Sequence, residues 1–312
     1  MKLSLFDLHC DTAGEMLYHK EPLSKNHFAV SLENARKFDN YIQVMAHFTP
    51  HELSDEDGWS NMLAMHENLC HDMAVMRKDA IVRHTFAHEA NAATLLLSIE
   101  DARILCEKEE RVDELFDLGF RILTPLWSGM TCIGGSHNTE DGLTDFGKKA
   151  IMRAVGLGII PDISHASEAS SRDIFEIAEA ASRPVIASHS NAYEICPVSR
   201  NLRPWQIERL LHCDGLIGLN LFQAFLRTGD GEATASDVFP HIDYFLEHGA
   251  IDSLALGCDM DGCLLLPDIP DLSALPHLAE LMLRHGYAEE LIHKIFYANA
   301  FRFATTYLSS SN

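Results

Sequence analysis

The sequence predicts a (β/α)8 barrel, and three observations carry that prediction. Eight apolar runs of strand length recur along the chain. Most are separated by stretches with helical periodicity. No composition break, Pro/Ser linker or internal repeat divides the 312 residues. Near-continuous apolar runs alternating with helices describe a parallel sheet covered on its faces, and closure into a barrel is the natural solution. Such a barrel takes ~250 residues or more. The expected unit is therefore one barrel domain over residues 1–312, with extra helices at its C-terminal end.

The elements follow in order. The opening run Leu3-Ser4-Leu5-Phe6 extends to His9 as strand Leu3–His9. Strands Tyr41–Phe48 and Thr94–Glu100 flank a helix over Asn61–Arg77. Helix Ile104–Leu118 leads to strand Arg121–Leu126, and Asp145–Val155 to Gly158–Ser164. Helix Glu168–Ala180 leads to Pro184–His189, Pro204–Leu211 to Leu216–Phe222, and Pro240–His248 to Leu254–Asp259. Beyond the eighth strand, Leu275–His285 and Ala288–Tyr307 are amphipathic by pattern, and the tail Ser309-Ser310-Ser311-Asn312 is expected to fray.

Composition removes several classes of function. The formal net charge is −22, no basic cluster tracks a phosphate backbone, and the long-range field repels nucleic acid. The start, Met1-Lys2-Leu3-Ser4-Leu5-Phe6-Asp7, is too short an apolar stretch for a signal peptide. No run of ~18 uncharged apolar residues suggests a membrane span, and the tail carries no lipidation motif. A cytoplasmic protein without a membrane partner is expected. The eight cysteines (10, 70, 106, 132, 196, 213, 258 and 263) include no Cys-x-x-Cys pair. They read as mostly buried small hydrophobes in a reducing compartment.

The chemistry gathers at the strand tips. Strand one ends in His9-Cys10-Asp11, and in extended backbone His9 and Asp11 share one side. Strand three ends in Glu100, strand five delivers His165, strand six delivers His189, and strand eight ends in Asp259. In a barrel these tips share the rim where such folds place their chemistry. Three imidazoles and three carboxylates suit divalent transition metals, zinc above all. They are too many for one ion with an open position, whereas two ions ~3.5–4 Å apart would use them. One ion is expected on His9, Asp11 and Glu100, and a second on Glu100, His165 and His189. Glu100 bridges, and Asp259 is left to accept and pass a proton.

Each residue alone has a plainer reading. Asp11 could cap the following segment, Asp259 and Asp261 could belong to a polar turn beside Gly257 and Gly262, and Glu100-Asp101 could open a helix. The conjunction at five of eight tips separates the readings. Two further histidines fall near the rim, His47 at the end of strand two and His137 in the loop after strand four. Both are expected to be structural or supporting.

These motifs make the chain similar to the membrane (renal) dipeptidase family of zinc peptidases, within the amidohydrolase-like barrel superfamily. The resemblance runs nearly the whole length. It is carried by Asp7-Leu8-His9-Cys10-Asp11, Ser98-Ile99-Glu100, Gly142-Leu143-Thr144-Asp145-Phe146-Gly147, Asp162-Ile163-Ser164-His165-Ala166-Ser167, Pro184-Val185-Ile186-Ala187-Ser188-His189-Ser190, Arg200-Asn201 and Gly257-Cys258-Asp259-Met260-Asp261-Gly262. It implies the same two metal sets, the same Glu100 bridge and a proton-handling Asp259. It adds Arg200 as the substrate-binding arginine, a role that suits a guanidinium fork facing an α-carboxylate. One departure stands out. Family members carry a histidine just after the fourth strand's Leu-Thr, where it contacts substrate and helps stabilise the oxyanion. Here Leu123-Thr124-Pro125-Leu126 leads to Trp127, whose indole donates one hydrogen bond and carries no charge. Either Trp127 narrows the substrate pocket or another donor such as His137 compensates.

The expected function is zinc-dependent hydrolysis of dipeptides through a metal-bridging hydroxide. A small dipeptide is the expected partner, with a second copy of the chain as an option. Two alternatives stay open. One is a binuclear-metal amidohydrolase acting on another amide, an N-acyl amino acid or a lactone. The other is a metal-binding protein without catalysis.

Overall fold

The computed structural model describes residues 3–75, 80–82, 86 and 92–309. Its strands are β1 (Leu5–Cys10), β2 (Tyr41–Phe48), β3 (Ala80–Val82), β4 (Ala93–Glu100), β5 (Phe120–Thr124), β6 (Ile160–Pro161), β7 (Ile217–Leu219) and β8 (Leu254–Leu256). Every pairing is parallel, in the order β6-β5-β4-β2-β1-β8-β7. Residues 186 and 187 supply the missing stave. Asp162 bridges Ile186 and Ala187 bridges Ile217, both in parallel, with Ile186 N–H donating to Pro161 O (3.0 Å) and Gly218 N–H to Ala187 O (2.8 Å). The curled sheet thus returns on itself as the sequence predicts.

The details differ where the backbone is constrained. The expected strands Gly158–Ser164 and Pro184–His189 shrink to a two-residue strand and a pair of bridges, because Pro161 and Pro184 have no N–H to give the ladder. β3, not foreseen, occupies the edge of β4 at residues 93–95, ahead of the stretch that β5 uses. The helix expected over Ile104–Leu118 is split. A short turn at Ala102–Leu105 is followed by left-handed Cys106 and Glu107 (φ 52° and 57°) before helix Glu110–Asp117. Ala288–Tyr307 is likewise divided, with a widened turn at Lys294–Ala298 between two α-helical parts. Helix Glu168–Ala180 matches its expected bounds, and Ser167 caps it by accepting from Ser170 N–H (2.9 Å). The helix expected to reach Arg77 runs from Asp55 to Val75. Arg77 and the tail residues 310–312 lie outside the described residues. None of the eight cysteines forms a disulfide, but only three are fully buried. No helix of the described residues is long and apolar enough to cross a membrane.

One apolar cluster fixes which way each strand faces. Phe6, Leu8, Ile42, Val44, Leu96, Ile122, Ile160, Ile186, Leu216 and Ala255 pack together, one or two from each stave around the ring. They are therefore the barrel interior. Phe303 and Leu308, in and just after helix Asn299–Tyr307, join them. Strand tips remain open at the other end.

The alternation relocates His47. With Ile42 and Val44 inward, His47 points outward, where it is fully buried against the Phe120 ring (centroids 4.9 Å apart). It is structural and stands away from the rim. Burial, aided by nearby His66, pushes its pKa down to about 3. The folded protein keeps His47 neutral while the unfolded chain takes up a proton near pH 6.5, so stability falls as pH drops from 6.5 towards 3. His47→Gln is expected to remove about 2 to 3 kcal/mol of the loss between pH 6.5 and 4.5. Urea unfolding at both pH values measures this; an unchanged difference contradicts it.

Candidate metal centre and its cavity

Three backbone routes bring the predicted residues together. Glu100 arrives by simple alternation, since Leu96 faces inward and every second residue of β4 does the same. His9 needs an irregularity. Phe6 and Leu8 face inward, so regular alternation would turn His9 out. The β1–β2 register shifts between Asp7 and Cys10, and His9 turns in. His165 and Asp259 sit on left-handed backbone (φ 71° and 61°), a conformation costing non-glycine residues about 1 kcal/mol or more. Asp11 lies past the strand at the start of helix Thr12–His19. Its meeting with His9 is therefore made by the strand–helix junction and not by strand alternation.

Two tip contacts hold this geometry. The Asp7 carboxylate accepts from His9 N–H (3.1 Å) and Cys258 N–H (3.0 Å), tying the ends of β1 and β8. Gly218 and Gly257 let Ser188 O approach so closely that a Cβ at either would lie 1.8 or 1.7 Å from it.

The six groups converge. His9 Nε2 lies 3.4 Å from Asp11 Oδ2, 3.5 Å from Glu100 Oε2 and 3.9 Å from Asp259 Oδ1. Glu100 Oε1 lies 3.0 Å from His165 Nε2 and 3.5 Å from His189 Nε2, and those nitrogens are 3.0 Å apart. The sets His9/Asp11/Glu100, Glu100/His165/His189 and His9/His189/Asp259 could each hold a metal ion. Glu100 belongs to the first two, one oxygen turned to each.

The chemistry of this donor set fits cations. His9 Nε2 and Asp11 Oδ1 are buried with no hydrogen-bond partner among the described residues, which is costly unless something else satisfies them. His165 Nδ1 contacts Trp127 O at 3.0 Å. A carbonyl only accepts, so the ring proton sits on Nδ1 and the Nε2 lone pair faces Glu100 and His189. Burial, with Arg200 nearby, pushes His165 down to about 3, keeping it an uncharged donor. Burial opposes a charged His9, yet Glu100 and Asp11 overcome it and hold its pKa well above the usual range. Burial raises the Asp11 carboxyl to about 7. The centre is a negative well that a divalent cation would neutralise.

A cavity of about 560 Å³ opens over this centre. Asp259 lines it, its Oδ2 accepting from Asn220 Nδ2 (2.9 Å). Arg200 also lines it, almost wholly buried. Its Nη2 donates weakly to His189 O (3.3 Å), Nε has no partner among the described residues, and the Phe225 ring lies 5.1 Å from the guanidinium carbon. Burial lowers its pKa only to about 10, so it remains a cation. Trp127 forms part of the wall with Phe48, ring centroids 5.0 Å apart. His137 joins the lining, with Nδ1 2.8 Å from Ser199 Oγ.

Sequence reasoning missed several residues of the site. Asn220, which donates to Asp259, follows β7 directly, and the expected strand Leu216–Phe222 runs past it and so hides it as a tip. Tyr18, Phe222 and Phe225 line the cavity. Tyr18 and Phe225 come from helices absent from the sequence reading (Thr12–His19 and Gln223–Leu226), and no pattern marks them.

A curled parallel barrel with imidazoles and carboxylates at its strand tips is the architecture of the amidohydrolase-like metal hydrolases. The chain belongs to the membrane dipeptidase family, peptidase family M19, whose sequence pattern matches residues 1–309. Among curated relatives, dipeptidase aclJ of Aspergillus oryzae (strain ATCC 42149 / RIB 40) is 29% identical over 213 residues, 66% of this chain and 50% of that protein. An uncharacterized Klebsiella pneumoniae protein encoded in the pqqA 5' region is 28% identical over 253 residues, 72% of this chain and 92% of that one. Two solved structures share the fold. A metallo peptidase from Rhodobacter sphaeroides, liganded with a phosphinate mimic of the dipeptide L-Ala-D-Ala, has TM-score 0.90 at 24% identity, covering 98% of this chain and 100% of that chain. The dipeptidase AC, a family M19 metallo peptidase, has TM-score 0.91 at 24% identity, covering 99% and 100%.

Proposed function

We propose that this chain is a zinc-dependent dipeptidase with two ions per chain. The observation that carries the reading is a buried, under-bonded guanidinium, Arg200, in the same cavity as a two-sided metal donor set. His9, Asp11 and Glu100 would hold one ion, and Glu100, His165 and His189 the other. When bound, these ions would polarise the scissile carbonyl and acidify the attacking water.

The chain's own residues supply the rest. Arg200 fixes the substrate's C-terminal carboxylate by paired charge-assisted bonds, which sets the distance to the scissile carbonyl and disfavours longer peptides. Asn220 holds Asp259 Oδ2, leaving Oδ1 towards the centre. That oxygen takes the proton from the attacking water and delivers it to the departing amine. Trp127 and Phe48 keep water from one side of the site.

Arg200→Met is expected to lower kcat/KM for dipeptides by about 10²-fold or more, the loss of one or two hydrogen bonds to a charged group. Metal content should not change. Steady-state kinetics with metal analysis checks this, and an unchanged kcat/KM removes the clamp from the account.

The aromatic wall around Trp127 favours a second reading, hydrolysis of an N-acyl amino acid on the same platform. A panel of L,L- and L,D-dipeptides and N-acylated amino acids, assayed with metal content on one sample, tests both. Preference for the free-amine substrates supports the dipeptidase, and preference for the acylated ones supports the alternative.

A further inference from the structure

We propose that Asp162 is a positioning residue that sets which nitrogen of His189 carries the proton, and thereby which one can bind a metal ion. The inference rests on the metal reading above. Asp162 is completely buried just past β6, where Ile186 meets it across the closing bridge. Its Oδ1 accepts from Ser164 N–H (2.9 Å) and Ser188 N–H (3.0 Å). Its Oδ2 accepts from the Thr124 hydroxyl (2.6 Å) and from the Ser188 hydroxyl. Four donors converge on this carboxylate, so it acts as acceptor only.

That arrangement uses the one proton of the Ser188 hydroxyl. The same oxygen lies 2.7 Å from His189 Nδ1. With its proton committed to Asp162, Ser188 Oγ can only accept there. His189 must then carry its hydrogen on Nδ1 and keep a bare lone pair on Nε2, the atom facing Glu100 and His165. The relay runs from imidazole to hydroxyl to carboxylate. His165 reaches the same state through Trp127 O alone, so the two imidazoles of one ion are set by independent devices.

Asparagine at 162 would reverse the relay. Its amide oxygen could keep both backbone bonds, but its NH2 would donate to Ser188 Oγ. The hydroxyl proton would then turn to His189 Nδ1, and the ring proton would move to Nε2, where it blocks the lone pair.

The test is nitrogen-15 NMR of histidine-labelled, metal-free protein, with His189 assigned from the H189Q spectrum, joined to zinc titration. Wild type is expected to show His189 protonated on Nδ1. D162N is expected to show it on Nε2 and to bind one zinc equivalent about 10- to 100-fold more weakly, the other equivalent unchanged. Ser188→Ala keeps the Asp162 carboxylate and its backbone bonds. It is expected to give mixed tautomers and about 10-fold weaker binding of the same equivalent, so it carries the test if D162N does not fold. An Nδ1–H tautomer and unchanged zinc affinity in S188A overturn the proposal, as the same result in D162N does. Correct tautomers in wild type with no zinc uptake would uphold the relay and remove the metal reading instead.

Discussion

Glu100→Gln is expected to strip the centre, lowering metal content well below two ions per chain and turnover by at least about 10³-fold, several kcal/mol of lost charge stabilisation. Glu100 turns one oxygen to each histidine group, with Oε2 3.5 Å from His9 Nε2 and Oε1 3.0 Å from His165 Nε2. The cluster holds its pKa well below the usual carboxylate range even though burial pushes the other way. An amide of the same shape removes that charge and turns an NH2 towards one set of ligands. Metal analysis beside kinetics reads both effects. A variant that keeps two ions and wild-type turnover would remove Glu100 as the bridge.

Asp259→Asn separates proton transfer from metal binding. The variant should keep close to two ions per chain and lose about 10²- to 10⁴-fold in kcat, the usual contribution of a positioned acid–base group. The fold should survive, because the amide oxygen can still accept from Asn220 Nδ2 and the backbone bond from Asp259 N–H to His9 O (3.2 Å) is untouched. Loss of metal together with activity would make Asp259 a ligand, in line with its place in the His9/His189/Asp259 set. Substantial activity would end the proton role.

The route to the site was legible in the chain because strand tips of a parallel barrel share one rim. That rule brings His9, Glu100, His165, His189 and Asp259 to one candidate site, and only the pairing of His9 with Asp11 leans on where side chains point. Alternation served Glu100, which follows the inward phase of Leu96. It would have misled for His9, which depends on a register shift. For His47 the tip rule misleads, and alternation in phase with Ile42 and Val44 correctly sends it outward. Left-handed backbone at His165 and Asp259 has no glycine to announce it. The cavity walls were hidden for a different reason. Tyr18 and Phe225 belong to helices of eight and four residues, too short for a clear period, and packing alone decides which face meets the cavity. Arg200 enters through family resemblance, since nothing in its spacing marks it. Its burial and sparse hydrogen bonding are what the proposed clamp rests on.

The proposed two-ion, dipeptide-cleaving centre is tested most directly by zinc titration of chelator-stripped protein, with hydrolysis of L,L- and L,D-dipeptides followed at each step. Turnover should rise with added zinc and level off at two ions per chain. A plateau at one ion or fewer, or a fully loaded protein that hydrolyses no dipeptide, would contradict it.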